Sequence, residues 1–302
     1  MLTVAAFYHF TRLPDPAALI APLRATCDYA GATGMILIAG EGVNGTIAAP
    51  GEGVETVLAA LRALPGCAGL AAKYSTAAER PFRKMKVRLK REIVTMGVDG
   101  VDPTEKTGAY VDPADWNDLI ERDDVMLIDV RNDYEVAIGQ FRGAIDPKTE
   151  RFRDFPDWWR VNRHAFQGKK VATYCTGGIR CEKATAYLLE NGAEQVYHLK
   201  GGILAYLEKT SAETSLWDGA CFVFDERVGV AHDLEETDHT LCRACRRPVS
   251  SADREHPDFE LGVACPACAA ERSEEDRRRF RERQRQIELA ASRGDSHLSR
   301  DR

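Results

Sequence analysis

Cys175, Thr176, Gly177, Gly178, Ile179, Arg180 and Cys181 form a run whose residue types and order point to chemistry. A short β-prone stretch, residues 171–174, delivers the first cysteine. Gly177 and Gly178 permit a tight loop, and residues 183–190 read as the helix that follows. Backbone N–H groups of such a loop, beside a helix N-terminus, point inward and favour negative charge at its centre. With Arg180 as a second source of positive potential, Cys175 is expected to sit there as a nucleophilic thiolate. A cysteine that merely ends a core strand needs neither the glycine pair nor the arginine beyond it. Cys181, six residues on and in the first helical turn, is either a resolving partner or a small packed residue.

Two other clusters carry chemistry. Cys242 and Cys245 make one Cys-x-x-Cys pair and Cys265 and Cys268 another, with 19 residues between the pairs. Each pair can hold two thiolates on one turn, and together they complete a tetrahedral four-cysteine site suited to zinc. An iron–sulfur cluster or a redox dithiol uses the same ligands. From Arg80 to Arg91 there are seven basic residues and no acidic one. Lys84, Lys86, Arg88 and Lys90 alternate with Met85, Val87 and Leu89. As a strand this segment puts four cations on one face, about 6.6–6.8 Å apart, and turns the apolar residues inward. With Arg83 they form a candidate contact surface for a nucleic acid backbone. A solvated edge strand protected by lysines has the same pattern.

The elements that must position these groups fall into blocks. Residues 1–98 read as β-α-β-β-α-β, a ferredoxin-like sandwich. Its strands are expected at 4–10, 34–39, 46–49 and 70–75, and its helices at 16–29 and 53–64. Residues 99–109 read as a linker. Within 110–215, residues 125–130 have the composition of a buried parallel strand. Strand, loop, helix, strand and a Gly-Gly turn follow over 168–209. Phe152, Phe155, Trp158, Trp159 and Phe166, set among arginines, either pack a core or stack on unpaired bases. Residues 216–270 hold the cysteine pairs, and 271–302 read as a solvated helix fading into a disordered tail.

The net charge of −6 excludes the chain as a whole as an electrostatic match for nucleic acid, so binding requires a local patch. No run approaches a membrane span and no signal peptide fits the N-terminus, so a soluble cytoplasmic protein is expected. Nine cysteines in a reducing compartment are expected to be thiols or metal ligands. No dinucleotide, flavin or haem motif and no His/His/carboxylate iron motif is recognisable.

The loop at Cys175 resembles that of a rhodanese domain, whose catalytic cysteine opens a six-residue loop and carries a persulfide. Asp129, Arg131 and Glu135, then Gly139, Gly143 and Ala144, resemble the family's first-strand segment; Gly201 and Gly202 resemble its closing turn. Gln140 stands where histidine is frequent, and Cys181 where serine or threonine is usual. In dual-specificity phosphatases of related fold five residues separate cysteine and arginine. Here four separate Cys175 from Arg180, a ring that suits one sulfur atom better than a phosphate.

With Glu41-Gly-Val-Asn-Gly-Thr46 and Phe224-Asp-Glu-Arg227, the arrangement resembles the rhodanese-domain tRNA uridine hydroxylases over residues 1–270. That resemblance implies an α/β chain with a ferredoxin-like (acylphosphatase-like) α+β N-terminal domain, a rhodanese-like α/β centre with a parallel sheet, and a small C-terminal zinc-binding module built on four cysteines. It implies oxygen-dependent 5-hydroxylation of uridine 34, with tRNA as partner, molecular oxygen as co-substrate and a small reductant or thiol. Sulfur transfer from a Cys175 persulfide is the alternative, and an inert rhodanese fold serving as an RNA-binding adaptor a third reading.

Overall fold

The structure, a computed structural model, describes residues 1–77, 80–225 and 227–293. The N-terminal unit contains β1 (Leu2–Phe10), α1 (Ile20–Tyr29), β2 (Thr33–Ala39), β3 (Gly42–Ala49), α2 (Gly53–Arg62), β4 (Ala72–Ala77) and β5 (Met85–Leu89). They form one sheet in the order β4-β1-β3-β2-β5. The first four strands give the ferredoxin-like order, and β5 extends it parallel to β2 at the edge. Both helices cover one face. Leu23 and Cys27 of α1 and Val54, Val57, Leu58 and Leu61 of α2 meet Ala5, Phe7, Ile36, Ile38 and Ile47 in a dry core. The alternate residues of each strand therefore line a sheet face that carries no helix.

Several boundaries differ from those expected. Helix α1 begins at Ile20 rather than residue 16, and β4 runs two residues later than 70–75. Strand β3 takes in Gly42, Val43, Asn44 and Gly45, and so starts four residues before the expected 46–49. Gly42 has φ 138°, and a Cβ there would strike the His9 carbonyl of β1, so glycine lets the hairpin close over Gly40 and Glu41 alone.

The central unit holds β6 (Ala109–Val111), α3 (Pro113–Ile120), β7 (Val125–Asp129), α4 (Asp133–Val136), β8 (Gly139–Phe141), α5 (Phe155–Asn162), β9 (Lys170–Tyr174), α6 (Ile179–Glu190), β10 (Val196–Leu199) and α7 (Gly202–Lys209). Its sheet, β6-β10-β9-β7, is all parallel. Trp116 of α3 and Ile203, Tyr206 and Leu207 of α7 pack on one face; Phe155 and Trp159 of α5 and Ala184, Tyr187 and Leu188 of α6 pack on the other. Covered on both faces, β7 and β9 are mostly apolar along their length. Phe152, Phe155, Trp159 and Phe166 are all buried in this core, so the aromatic segment is mainly packing.

The connection between these units is also packed. Met96 and Val101 are buried against the central core and Ile93 against the N-terminal sheet. Beyond the second unit, β11 (Trp217–Gly219) pairs with β8, and β12 (Cys221–Phe222) pairs with β13 (Gly229–Val230). Trp217, Cys221, Val223 and Val230 belong to the same core as Trp116 and Tyr206. The central body therefore extends through residues that the sequence grouped with the cysteine pairs.

The cysteine module itself holds β14 (Thr240–Leu241), β15 (Pro248–Val249) and α8 (Ser251–Glu255). Helix α9 (Glu274–Ser292) docks back on it through Arg281 with Glu260 and through Arg283 with the Gly262 carbonyl. Residues 294–302, expected to be disordered, lie outside the described residues.

Candidate active site

Cys175 follows β9 directly, at the C-terminal end of the parallel sheet where open α/β folds place their ligands. Two neighbours shape its loop. The backbone N–H groups of Ile203 and Leu204, at the start of α7, donate to the carbonyls of Cys175 (3.0 Å) and Thr176 (3.1 Å). Gly202 has φ 67°, and a Cβ there would lie 2.6 Å from the Thr176 carbonyl oxygen, so the Gly-Gly turn is what lets α7 approach.

The acidic and basic residues of the first-strand segment brace the loop. Asp129 and Arg131 form a fully buried pair (Nη2–Oδ2 2.6 Å), and Arg131 also donates to the Gly139 carbonyl. Glu135, wholly buried, accepts from both terminal nitrogens of Arg180 (2.6 and 2.7 Å), from Thr176 Oγ1 (3.1 Å) and from the Asn132 amide (3.1 Å).

Arg180 is thus bound to Glu135 rather than to the Cys175 sulfur. It acts on that sulfur only through its field, while the Gly178 amide donates to Sγ directly at 3.1 Å. Burial alone would raise the Cys175 pKa. A hydrogen bond from the Cys181 thiol, the Arg180 charge and the Cys181 and Gly178 amides outweigh it and bring the value to about 5. Cys181 moves the other way: burial and the neighbouring Cys175 anion push its pKa up, so it stays a protonated donor.

The loop opens on a cleft of about 1900 Å³ between the three parts of the chain. One wall is the helix-free face of the N-terminal sheet, including Tyr8, Met35, Asn44, Lys73 and Lys86. The opposite wall holds Cys175, Thr176, Gly177, Ile179, Arg180 and Glu182, and Phe224, Arg227 and Arg246 close a third side. Arg83, Lys84 and Lys86 line this cleft. Arg88 and Lys90 are exposed and are not among the lining residues. Leu89, the last residue of the edge strand β5, is 50% exposed.

A buried ion cluster holds the first wall against the second. Lys183 of α6 donates to Glu41 of the β2–β3 turn (2.7 and 2.9 Å), to Glu92 of the connection (2.6 Å) and to the Val94 carbonyl. Glu41, Glu92, Lys183, Tyr8 and Glu182 were not singled out by the sequence as site residues. Glu41 stood in a quoted motif, and Glu182 and Lys183 directly follow the loop.

The four sulfurs of Cys242, Cys245, Cys265 and Cys268 lie within 4.8 Å of one another. Separations of 3.7 Å for Cys245–Cys265 and Cys265–Cys268 and 3.9 Å for Cys242–Cys268 are close to the edge of about 3.8 Å that a tetrahedron with metal–sulfur bonds of about 2.3 Å requires. The group could hold a metal ion, and the all-sulfur donor set is consistent with zinc.

Comparison with known proteins agrees with this division. Residues 2–93 match the UPF0176 acylphosphatase like domain and residues 112–209 the rhodanese-like domain. A protein of Ruegeria pomeroyi named tRNA uridine(34) hydroxylase is 60% identical over 299 residues, covering 99% of each chain. Proteins of the same name from Jannaschia (57%, 99% of each chain) and Sinorhizobium fredii (59%, 98% of this chain and 94% of the relative) match equally broadly. This chain belongs to the tRNA uridine(34) hydroxylase family. Among solved structures, a rhodanese-related protein from Thermoplasma volcanium covers 34% of this chain and 93% of its own, at 22% identity and a TM-score of 0.28. Among the described residues no helix is long and apolar enough to cross a membrane. The family's two matched domains are the two walls that face each other across the Cys175 cleft.

Proposed function

We propose that this chain hydroxylates uridine 34 of tRNA at C5, with Cys175 as the reactive group and dioxygen as co-substrate. The observation that carries this reading is the placement of Cys175 in a cleft whose facing wall is the open, lysine-bearing side of the N-terminal sheet. A sulfurtransferase serving a small thiol has no use for such a wall.

The roles follow from the geometry. Arg83, Lys84 and Lys86 hold the RNA backbone, and the anticodon base turns out of its stack toward the loop. The Gly178 amide, the Cys181 thiol and the field of Arg180 keep Cys175 ionised at neutral pH. Glu135 fixes Arg180 and Thr176, and so the loop's shape, without touching substrate. Replacing the C5 hydrogen by hydroxyl uses one oxygen atom of dioxygen. The other leaves as water after taking two electrons and two protons, which a pair of small thiols supplies as it becomes a disulfide. The four-cysteine group binds zinc as a structural ion and fixes Arg246, next to Cys245, at the cleft.

The test is mass spectrometry of digested tRNA from cells lacking the protein, complemented with wild type or Cys175→Ser. Loss of 5-hydroxyuridine derivatives in the deletion, restored by wild type and not by the serine variant, is expected. Unchanged modification in the deletion removes the hydroxylase reading, and rescue by Cys175→Ser removes the nucleophile.

A further inference from the structure

Four of the five carboxylates nearest the loop and its domain junction are ion-paired with a cation. Asp129 has Arg131, Glu135 has Arg180, and Glu41 and Glu92 share Lys183. The fifth, Glu182, differs. It stands in the first turn of α6, lines the cleft beside Cys175, and among the described residues forms no ion pair. Its Oε1 accepts from the Tyr8 hydroxyl at 2.8 Å, and Tyr110 approaches the same carboxyl from the start of the central unit. Burial raises its pKa and the Cys175 anion raises it further, although the two phenols pull it back. A carboxylate set near a thiolate with no cation paired to it is electrostatically costly, and such groups cluster where ligands are handled.

Its placement is also well fixed. Tyr8 comes from β1, on the helix-free sheet face, and its hydroxyl rests against Gly178, 2.7 Å from where a Cβ would stand. The carboxylate is therefore held at the meeting of the two walls, with Oε1 engaged by Tyr8; its two oxygens offer about four lone-pair sites, more than two phenols fill, so it can still accept from a ligand. A carboxylate is an acceptor only, and it suits a partner that presents an N–H.

We infer that Glu182 is the specificity-determining residue for the base, accepting the N3–H of a uracil ring whose C5–C6 edge is turned toward Cys175. This rests on the uridine reading above and adds how the base is told from others. In uracil, N3 lies across the ring from C6, so an acceptor at N3 and a nucleophile at the opposite edge flank one base. Cytosine places a lone pair at N3, which a carboxylate repels, so the same contact both selects uracil and rejects cytosine. Enzymes that act on a displaced base read its Watson–Crick edge by such hydrogen bonds.

The experiment measures binding of three anticodon stem-loop RNAs, identical except for uridine, cytidine or 3-methyluridine at position 34, to wild type, Glu182→Gln and Tyr8→Phe. Wild type should prefer uridine over both others by roughly ten- to a hundredfold, the scale of one hydrogen bond to a charged group. Glu182→Gln, whose amide can turn its NH2 toward the N3 of cytidine, should bind the uridine and cytidine RNAs within about threefold of each other, on the same principle. Tyr8→Phe keeps the carboxylate but loosens it and should fall between. Full wild-type preference in Glu182→Gln overturns this assignment and leaves the uridine reading intact. Absence of any preference in wild type counts against the uridine reading itself, and against this assignment with it.

Discussion

Cys175 and the four sulfurs of the C-terminal module are both held close to other polar groups, and the groups differ in kind. Around Cys175 the field is supplied by the protein itself. Amide dipoles and a thiol donor reach the sulfur, and the nearest guanidinium is kept in place by Glu135. Around Cys242, Cys245, Cys265 and Cys268 each sulfur has another sulfur within 3.9 Å, and the Cys265 amide also donates to Cys268 Sγ at 3.4 Å. A single thiolate can be stabilised by fixed dipoles, whereas four require a cation from outside. The first arrangement draws on the protein's own groups and the second is one that could hold a metal ion, so the two should fail independently.

The largest expected effect is on the metal side. Structural zinc in small modules contributes about 10–16 kcal/mol of binding free energy to folding. A strong chelator, or Cys268→Ser, should make residues 238–270 sensitive to limited proteolysis and leave the ultraviolet thiolate absorbance of Cys175 unchanged. Loss of both signals together would join what the comparison separates.

Next comes the bracing of the loop. Glu135→Gln strips the partner from a buried guanidinium and should cost about 3–5 kcal/mol in urea unfolding. The sign with pH follows from direction. Burial pushes the Glu135 pKa up, but Arg180 and Arg131 more than offset it, so the folded value lies below the unfolded one. Its contribution is full at neutral pH and is lost as pH falls below the ordinary carboxylate range. The acid-unfolding curve of Glu135→Gln should be correspondingly flatter, and a curve parallel to wild type would argue against the brace.

The smallest effect concerns the basic strand. Lys84→Gln with Lys86→Gln should weaken tRNA binding roughly tenfold and lower the salt dependence by about one to two units of slope. Arg88→Gln with Lys90→Gln, away from the cleft, should change both less. Equal effects in a filter-binding titration would mean that the whole strand, rather than its cleft end, meets the RNA.

Much of this was legible in the chain. The ferredoxin-like order, the parallel central sheet and the loop followed from apolar periodicity, glycine placement and the spacing of cysteine and arginine, all local signals. What escaped depended on residues far apart in sequence. The partner of Arg180 is Glu135, and the partners of Lys183 are Glu41 and Glu92, and no spacing rule links such positions. Packing likewise sets which cations face the cleft: the alternation forms a strand over Met85–Leu89, and of the basic residues Arg83, Lys84 and Lys86 line the cleft while Arg88 and Lys90 do not. The residues from Trp217 to Val230 showed no periodicity that tied them to the central core, which they join through three short strands.

The central claim is that the protein's own dipoles keep Cys175 ionised. The direct test is the pH titration of thiolate absorbance, taken as the difference between wild type and Cys175→Ser, both with metal bound. A single transition near pH 5, with the thiolate fully formed by neutrality, is the expected result. A transition at about 8.5, the value of an ordinary thiol, would contradict it.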